Sequence, residues 1–94
     1  MNEMQIEEAE ERRELLALIP PKLLADLNNY VDFGIRTKGV DMLMSNDLFG
    51  FTMWIDFVLT PELMHALYVY VQDVPAKCFG NMDKVSAWGG EVRG

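Results

Sequence analysis

The sequence predicts an α+β fold: N-terminal helices, a three-stranded antiparallel meander, one long helix packed on the sheet and a short C-terminal tail. Apolar and polar residues alternate in the middle of the chain, as in half-buried strands, and helix-start signals lie on both sides. The 94 residues, half of them apolar, suit one folded domain. We divide the chain into a helical N-terminal segment (1–29), the meander (30–59), a helix (60–74) and a loop and tail (75–94).

The N-terminal segment is predicted to form two helices separated by a proline pair. Asn2 is a candidate N-cap with Gln5 three residues later, as in a capping box, and glutamates crowd the first turns, where the helix dipole favours them. The apolar residues of the first helix lie at its end: Leu15, Leu16, Leu18 and Ile19. We therefore expect the first two-thirds to be solvated and the last turn to dock. Pro21 suits the first position of a second, short helix.

Two of the predicted strands form a hairpin. Apolar and polar residues alternate in 31–36 and again in 40–44, and a two-residue tip at Lys38–Gly39 sets the apolar residues of the two strands opposite each other. The same register sets Arg36 opposite Asp41 on the outer face, a charge pair worth ~0.2–1 kcal/mol.

A third strand is predicted from Phe51 to Leu59, where alternation holds for nine residues, with Trp54 on the outer face. Three methionines are assigned to the inner face of the sheet: Met42, Met44 and Met53. The alternative is an all-α fold, because residues 48–59 are long and apolar enough for a buried helix. The concentration of Phe, Trp, Ile and Val favours the strand.

Helix signals return after the meander. Thr60-Pro61-Glu62 combines an N-cap hydroxyl, a proline at the first position and an acid in the first turn, which together predict a helix start. This helix is expected to end before Pro75. Residues 81–88 are expected to form one or two further turns, closed by Gly89-Gly90.

The charge balance excludes several classes of protein. Fifteen acidic residues against eight basic ones give a net charge of −7, which repels the phosphates of nucleic acids and anionic membranes. The most apolar run, Leu48 to Ile55, is shorter than the ~20 residues of a spanning helix. The acidic N-terminus has the wrong charge for a secretory signal, and one cysteine, Cys78, cannot form an internal disulfide. We expect a cytoplasmic protein.

The sequence offers little for catalysis or metal binding. One histidine, His65, and one cysteine cannot build a His/Cys metal cage. As a general base and a nucleophile, His65 and Cys78 lack any flanking motif, so a half-buried histidine and an inert thiol are favoured. The glycines match no phosphate-binding loop. We expect no enzymatic activity, cofactor or metal.

Acidic residues are the strongest candidates for a site. Four lie on the first helix and three on successive predicted strands: Glu7, Glu10, Glu11 and Glu14, then Asp32, Asp41 and Asp56. Trp54, beside the strand acids, is predicted to be the apolar anchor of the same partner-binding surface. The helix can imitate nucleic-acid phosphates; the alternative is a solvated face that keeps the protein soluble. Residues 1–19 carry a net charge of −4, against ~13 phosphates along ~22 Å of duplex, too dilute for a full duplex mimic. For the sheet acids we expect an acidic docking patch or, as the alternative, plain solvent exposure; a metal site is not expected, because nothing makes the three carboxylates converge.

In composition alone, the chain resembles the small acidic inhibitor proteins of phages and mobile elements, some of which block nucleic-acid-handling machinery by displaying acidic surface. The resemblance carries no individual residues. It implies a non-enzymatic binding protein that occludes a basic, nucleic-acid-binding surface of a partner protein, without direct contact to nucleic acid. The alternative is a structural or ligand-holding homo-oligomer, in the simplest case a homodimer, acting through interfaces of aromatic residues and methionines.

Overall fold

The computed structural model describes residues 3–91, and this part of the chain folds into six α-helices without a strand. The predicted α+β fold with its three-stranded meander is therefore wrong, and the all-α alternative is the one observed. The helices are α1 (Glu3–Leu16), α2 (Pro21–Phe33), α3 (Lys38–Met44), α4 (Leu48–Trp54), α5 (Pro61–Gln72) and α6 (Met82–Ala87), with a short 3₁₀ turn at Ala76–Cys78.

The two predicted N-terminal helices both form, but α2 is longer than predicted and continues beyond residue 29 to Phe33. The first turns of α1 are exposed, while Leu15 and Leu16 are partly buried and Ile19, just beyond the helix, is 2% exposed. Leu18 differs from the prediction, because it remains half-exposed. Pro21 is the first residue of α2. The capping box predicted for Asn2 lies outside the described residues.

The predicted hairpin is replaced by the end of α2 and by α3. Lys38–Gly39 is the start of a helix rather than a strand turn, and the Thr37 hydroxyl caps that helix by accepting a 3.2 Å hydrogen bond from the Val40 amide. The buried residues of α3 include Val40, Leu43 and Met44. Their i, i+3, i+4 spacing is the helical period. The segment therefore folds as a helix, although its residues also alternate over the five positions 40–44.

The predicted Arg36–Asp41 pair is confirmed, although a different backbone forms it. Arg36 Nε donates to Asp41 Oδ1 at 2.9 Å, and its second nitrogen, Nη2, donates to Asp41 Oδ2 at 3.0 Å. Asp41 lies in the first turn of α3 and Arg36 just before that helix. The pair therefore spans a helix start, where a carboxylate is also favoured by the helix dipole.

The predicted third strand is half helix and half irregular connection. Asp47 caps α4 by accepting a 2.9 Å hydrogen bond from the Gly50 amide. Phe51 is the buried residue of this helix, whereas Met53, predicted to lie inside, is 73% exposed. Residues 55–60 do alternate between half-buried and exposed, but they follow the surface without pairing to a strand.

Helices α5 and α6 confirm the signals read from the sequence. The Thr60 hydroxyl accepts a 3.1 Å hydrogen bond from the Leu63 amide, and α5 ends at Gln72, before Pro75. Asn81 caps α6 with a 2.9 Å bond from the Lys84 amide. The sequence identified Thr60 as the cap of α5, whereas the prediction of helical turns at 81–88 did not identify Asn81 as their cap.

Tyr30 of α2 connects this helix with the C-terminal segment, residues 78–91, in the core. Its side chain is fully buried, and its hydroxyl donates a 2.7 Å hydrogen bond to the Cys78 carbonyl oxygen. Trp88 Nε1 donates to the Tyr30 carbonyl at 3.0 Å, and the Glu91 amide donates to the Val31 carbonyl at 2.8 Å. These bonds hold the C-terminal segment against α2.

Two glycines allow that segment to approach α2 closely. Gly34 ends α2 with φ +72°, and a Cβ there would lie 2.7 Å from the Gly89 carbonyl carbon. Gly90 has φ +102°, and its Cβ would lie 2.6 Å from the Phe33 backbone. Any side chain at either position would be strained and would separate the two segments.

Replacing Tyr30 with phenylalanine should lower the free energy of unfolding by about 1–3 kcal/mol, because it leaves the buried Cys78 carbonyl without a donor. Tyr70→Phe is the matched control. It removes a 2.8 Å bond from the Tyr70 hydroxyl to exposed Asn28 Oδ1, where water replaces the lost donor, and should cost about 0.5–1 kcal/mol. Urea denaturation measures both, and an equal or smaller loss at Tyr30 contradicts its assigned role.

Candidate protein-binding surface on helix α1

Four glutamates of α1 form one continuous face of the helix, which we call the acidic face: Glu7, Glu10, Glu11 and Glu14. Their i, i+3, i+4, i+7 spacing places them on the same side of a helix. All four are exposed. The sequence correctly predicted both the helix and its solvation, because this stretch offers little apolar surface to bury.

The rest of α1 is held against α5. Arg12 forms an ion pair with Asp73, directly after the end of α5, and the apolar residues at the end of α1 pack on the core. An open cleft of about 850 Å³ lies between the two helices, with Glu11 and Glu14 on one wall and His65 on the other. The acidic face therefore borders this cleft and continues onto the outside of α1.

Among residues 3–91, no cation forms an ion pair with the acidic face. Within residues 3–91 the ion pairs are Arg12–Asp73 and Arg36–Asp41, and neither includes a glutamate of this face. Helix α1 carries six glutamates and two arginines, and one of those arginines is engaged with Asp73. Its negative charge is thus left to solvent or to a partner.

The predicted sheet patch of Asp32, Asp41 and Asp56 does not exist, because no sheet in the described chain aligns them. Asp32 is half-buried on α2, Asp41 is held by Arg36 on α3, and Asp56 is exposed in the connection after α4. The three acids therefore share no common face and lie in three separate environments. The error follows directly from the strand register, which was the only reason to group them.

Trp54 and Asp56 do come together, in a second cleft. Trp54 is 48% exposed at the end of α4, and its ring lies against Gly39 of α3. With Lys22, Phe57 and other residues, the two side chains line a cleft of about 410 Å³ beside the start of α2. This cleft shares no lining residue with the cleft beside the acidic face.

Sequence reasoning missed an exposed apolar surface on α4 and α5. Phe49 is 81% exposed and Met53 lies one turn further along α4. The signal was present in the sequence, because on a helix Phe49 and Met53 fall on one side and Phe51 on another. The strand interpretation began at Phe51 and left Phe49 out.

Cys78 and His65 lie in different surroundings. Cys78 is fully buried, and its thiol donates a 3.0 Å hydrogen bond to the Pro75 carbonyl oxygen. Burial raises the pKa of Cys78 to about 11, so the thiol is protonated at neutral pH. His65 is exposed beside the α1–α5 cleft. Among the described residues, no three His, Cys, Asp or Glu side chains form a group that could hold a metal ion.

Comparison of the chain with models of protein families, with curated proteins and with solved structures finds no match in any of the three. Across residues 3–91, no helix combines the length and the apolar character needed to cross a membrane. The candidate site is thus defined by its own geometry and charge.

The free energy of unfolding should fall in alkaline solution, and the contribution of Cys78 should be lost first. Its pKa rises from 9.0 to about 11 on folding, so this contribution is complete below pH 9 and is lost as the pH rises towards 11, with a slope of up to about 1.4 kcal/mol per pH unit. Burial also raises the pKa of Tyr70 to about 12, which extends the loss above pH 10. Denaturation at pH 8–10 should show the decline, and Cys78→Ala should flatten it. A wild-type curve that is level to pH 10 contradicts the assignment.

Proposed function

We propose that this protein is a non-enzymatic binding protein that uses the acidic face of α1 to occlude a basic, nucleic-acid-binding surface of a partner protein. The observation that carries the proposal is the set of four exposed glutamates that no cation of the described chain neutralises. Carboxylates left in this state attract cationic side chains and repel phosphates. They therefore favour a basic protein surface over nucleic acid itself.

The spacing of the acidic face supports mimicry of a single strand. Glu7 and Glu14 are seven residues apart, which corresponds to ~10 Å along a helix. One strand of duplex DNA carries a phosphate every ~3.4 Å, or about three over that length. Four carboxylates in the same distance match the charge of a short single-strand segment. A partner that grips one strand through lysines and arginines fits this face better than one that encloses a duplex.

The attachment of α1 also favours binding. The Arg12–Asp73 ion pair and the buried Ile19 fix the carboxyl-terminal half of the helix on the protein. A recognition helix that is already folded loses less conformational entropy when it binds. Charge complementarity of this kind mainly accelerates association, and its effect weakens as salt screens it.

The proposal keeps the four glutamates of the acidic face and leaves out the other four residues that the sequence predicted to bind a partner. Asp41 already accepts two hydrogen bonds from Arg36, and half-buried Asp32 is poorly available to a partner. Trp54 and Asp56 line a different cleft, so they are not assigned to the interface. The alternative is that the acidic face only maintains solubility. It predicts that removing carboxylates elsewhere on the surface weakens the binding of a basic peptide as much as removing those of α1.

Two matched double variants test this difference. Glu10→Gln/Glu14→Gln removes two charges from the acidic face, whereas Asp83→Asn/Glu91→Gln removes two exposed charges elsewhere. With a fluorescent arginine-rich peptide as the probe, the first variant should raise the Kd about tenfold, since two charge pairs contribute roughly 1.4 kcal/mol in total. The second should change the Kd less than about twofold. Thermal unfolding by circular dichroism verifies that both are folded.

Equal effects of the two variants would mean that only net charge matters, and the solubility alternative would then stand. A single-stranded oligonucleotide added to the protein–peptide complex should compete for the peptide. Failure of this single strand to displace the protein at saturating concentration would show that the two do not share a binding mode.

A further inference from the structure

Five large apolar side chains of α4 and α5 are exposed to solvent. We call them the α4 patch: Leu48, Phe49, Met53, Met64 and Tyr68. Phe49 and Met53 are one turn apart on α4, and Leu48, Met64 and Tyr68 line a single pocket between the two helices. The patch contains no charged side chain.

The pocket within the α4 patch has the size of one aromatic ring. Its volume is about 130 Å³, and six of its apolar lining residues are Leu48, Met64, Leu67, Tyr68, Val71 and Phe79. Apolar protein cavities of roughly 150 Å³ take up benzene. Phe49, directly beside Leu48, does not line this pocket and is 81% exposed. The patch thus presents an aromatic side chain and, next to it, a pocket that fits such a side chain.

Two polar side chains at the patch form hydrogen bonds within the chain. The Thr52 hydroxyl donates a 2.7 Å hydrogen bond to the Leu48 carbonyl oxygen, and Gln72 Nε2 donates at 2.8 Å to the Tyr68 hydroxyl. The pocket is also lined by the exposed side chain of Asn46. Burying a polar group is expensive mainly when it loses its hydrogen bond, so covering this surface costs little where Asn46 stays at the edge, in contact with water.

We propose that a second copy of this chain covers the α4 patch in a two-fold dimer, with Phe49 of each copy seated in the pocket of the other. A two-fold interface requires a surface that complements itself, and an aromatic side chain next to a matching pocket meets that requirement. From the exposed fractions, the five side chains offer on the order of 600 Å² per copy, so a dimer that covers them completely buries about 1,200 Å², the lower end for stable complexes.

The sign of the salt dependence separates this interaction from the proposed function. Each copy carries a net charge of −7, so two copies repel each other while the uncharged patch attracts. Added salt screens the repulsion and should tighten the dimer. Binding of a basic partner by the acidic face has the opposite dependence. The two surfaces share no residue, and either proposal can fail while the other stands.

Sedimentation equilibrium between about 1 and 200 μM should show a monomer–dimer equilibrium in the micromolar range for the wild-type chain. Phe49→Ala should raise the dimer Kd by about 30-fold or more, the loss typical of a central aromatic side chain. Ile6→Ala is the control: it shortens an exposed apolar residue on α1 and should leave the Kd within about twofold. Because Phe49 is so exposed in one copy, its truncation should leave the thermal unfolding transition unchanged at concentrations well below the dimer Kd, where the wild-type chain is also monomeric.

An isotope-filtered NMR experiment on mixed labelled and unlabelled protein locates the contact. The proposal predicts intermolecular signals between the Phe49 ring of one copy and the partner's Met64 methyl group. A chain that stays monomeric to 200 μM, in which the patch is left for a different protein, overturns the proposal. So does a dimer that Phe49→Ala does not weaken, or one whose intermolecular contacts lie on another face.

Discussion

The exposed charge of this protein depends on one constraint: the apolar residues that α1 and the turn after it bury lie at the carboxyl-terminal end, whereas Ile6 in the first half of the helix stays exposed. Leu15, Leu16 and Ile19 attach that end to the core, and Arg12 adds an ion pair with Asp73. The preceding turns have little apolar surface to bury, so their glutamates remain in water. If apolar residues were spaced along the whole helix, α1 would pack along its full length and the acidic face would be narrower. Where hydrophobic residues are placed thus determines where charge is displayed.

The parts of the fold that could be predicted are those with strong capping residues or proline at a helix start. Pro21, Thr60 and Asn81 each begin a helix as expected. The seven-residue helices α3 and α4 were missed, because over so short a length alternation and the helical period produce similar patterns. Thr37 and Asp47 are the caps of these helices and were present in the sequence. They were outweighed by residues with a preference for strands, such as Phe51 and Ile55.

For the candidate site, too, features that depend on local sequence could be predicted and features that depend on tertiary structure could not. The solvated glutamates of α1 follow from local composition, so the sequence was sufficient to place them. The grouping of Asp32, Asp41 and Asp56 required a strand register, which is a property of tertiary structure, and it failed with the sheet. The α4 patch was missed for a related reason: the spacing of Phe49 and Met53 places them on one side only if residues 48–54 are helical, and the patch is complete only with α5 beside them.

The central claim is that the acidic face of α1 is the surface that a basic partner binds. The most direct measurement is an NMR titration of isotope-labelled protein with an arginine-rich peptide at low salt, repeated after salt is added. The account predicts that the chemical shifts change at residues 7–14 and around the α1–α5 cleft, and that salt reverses the changes. Changes centred on Phe49 and Met53, or spread evenly over all exposed carboxylates, would contradict it.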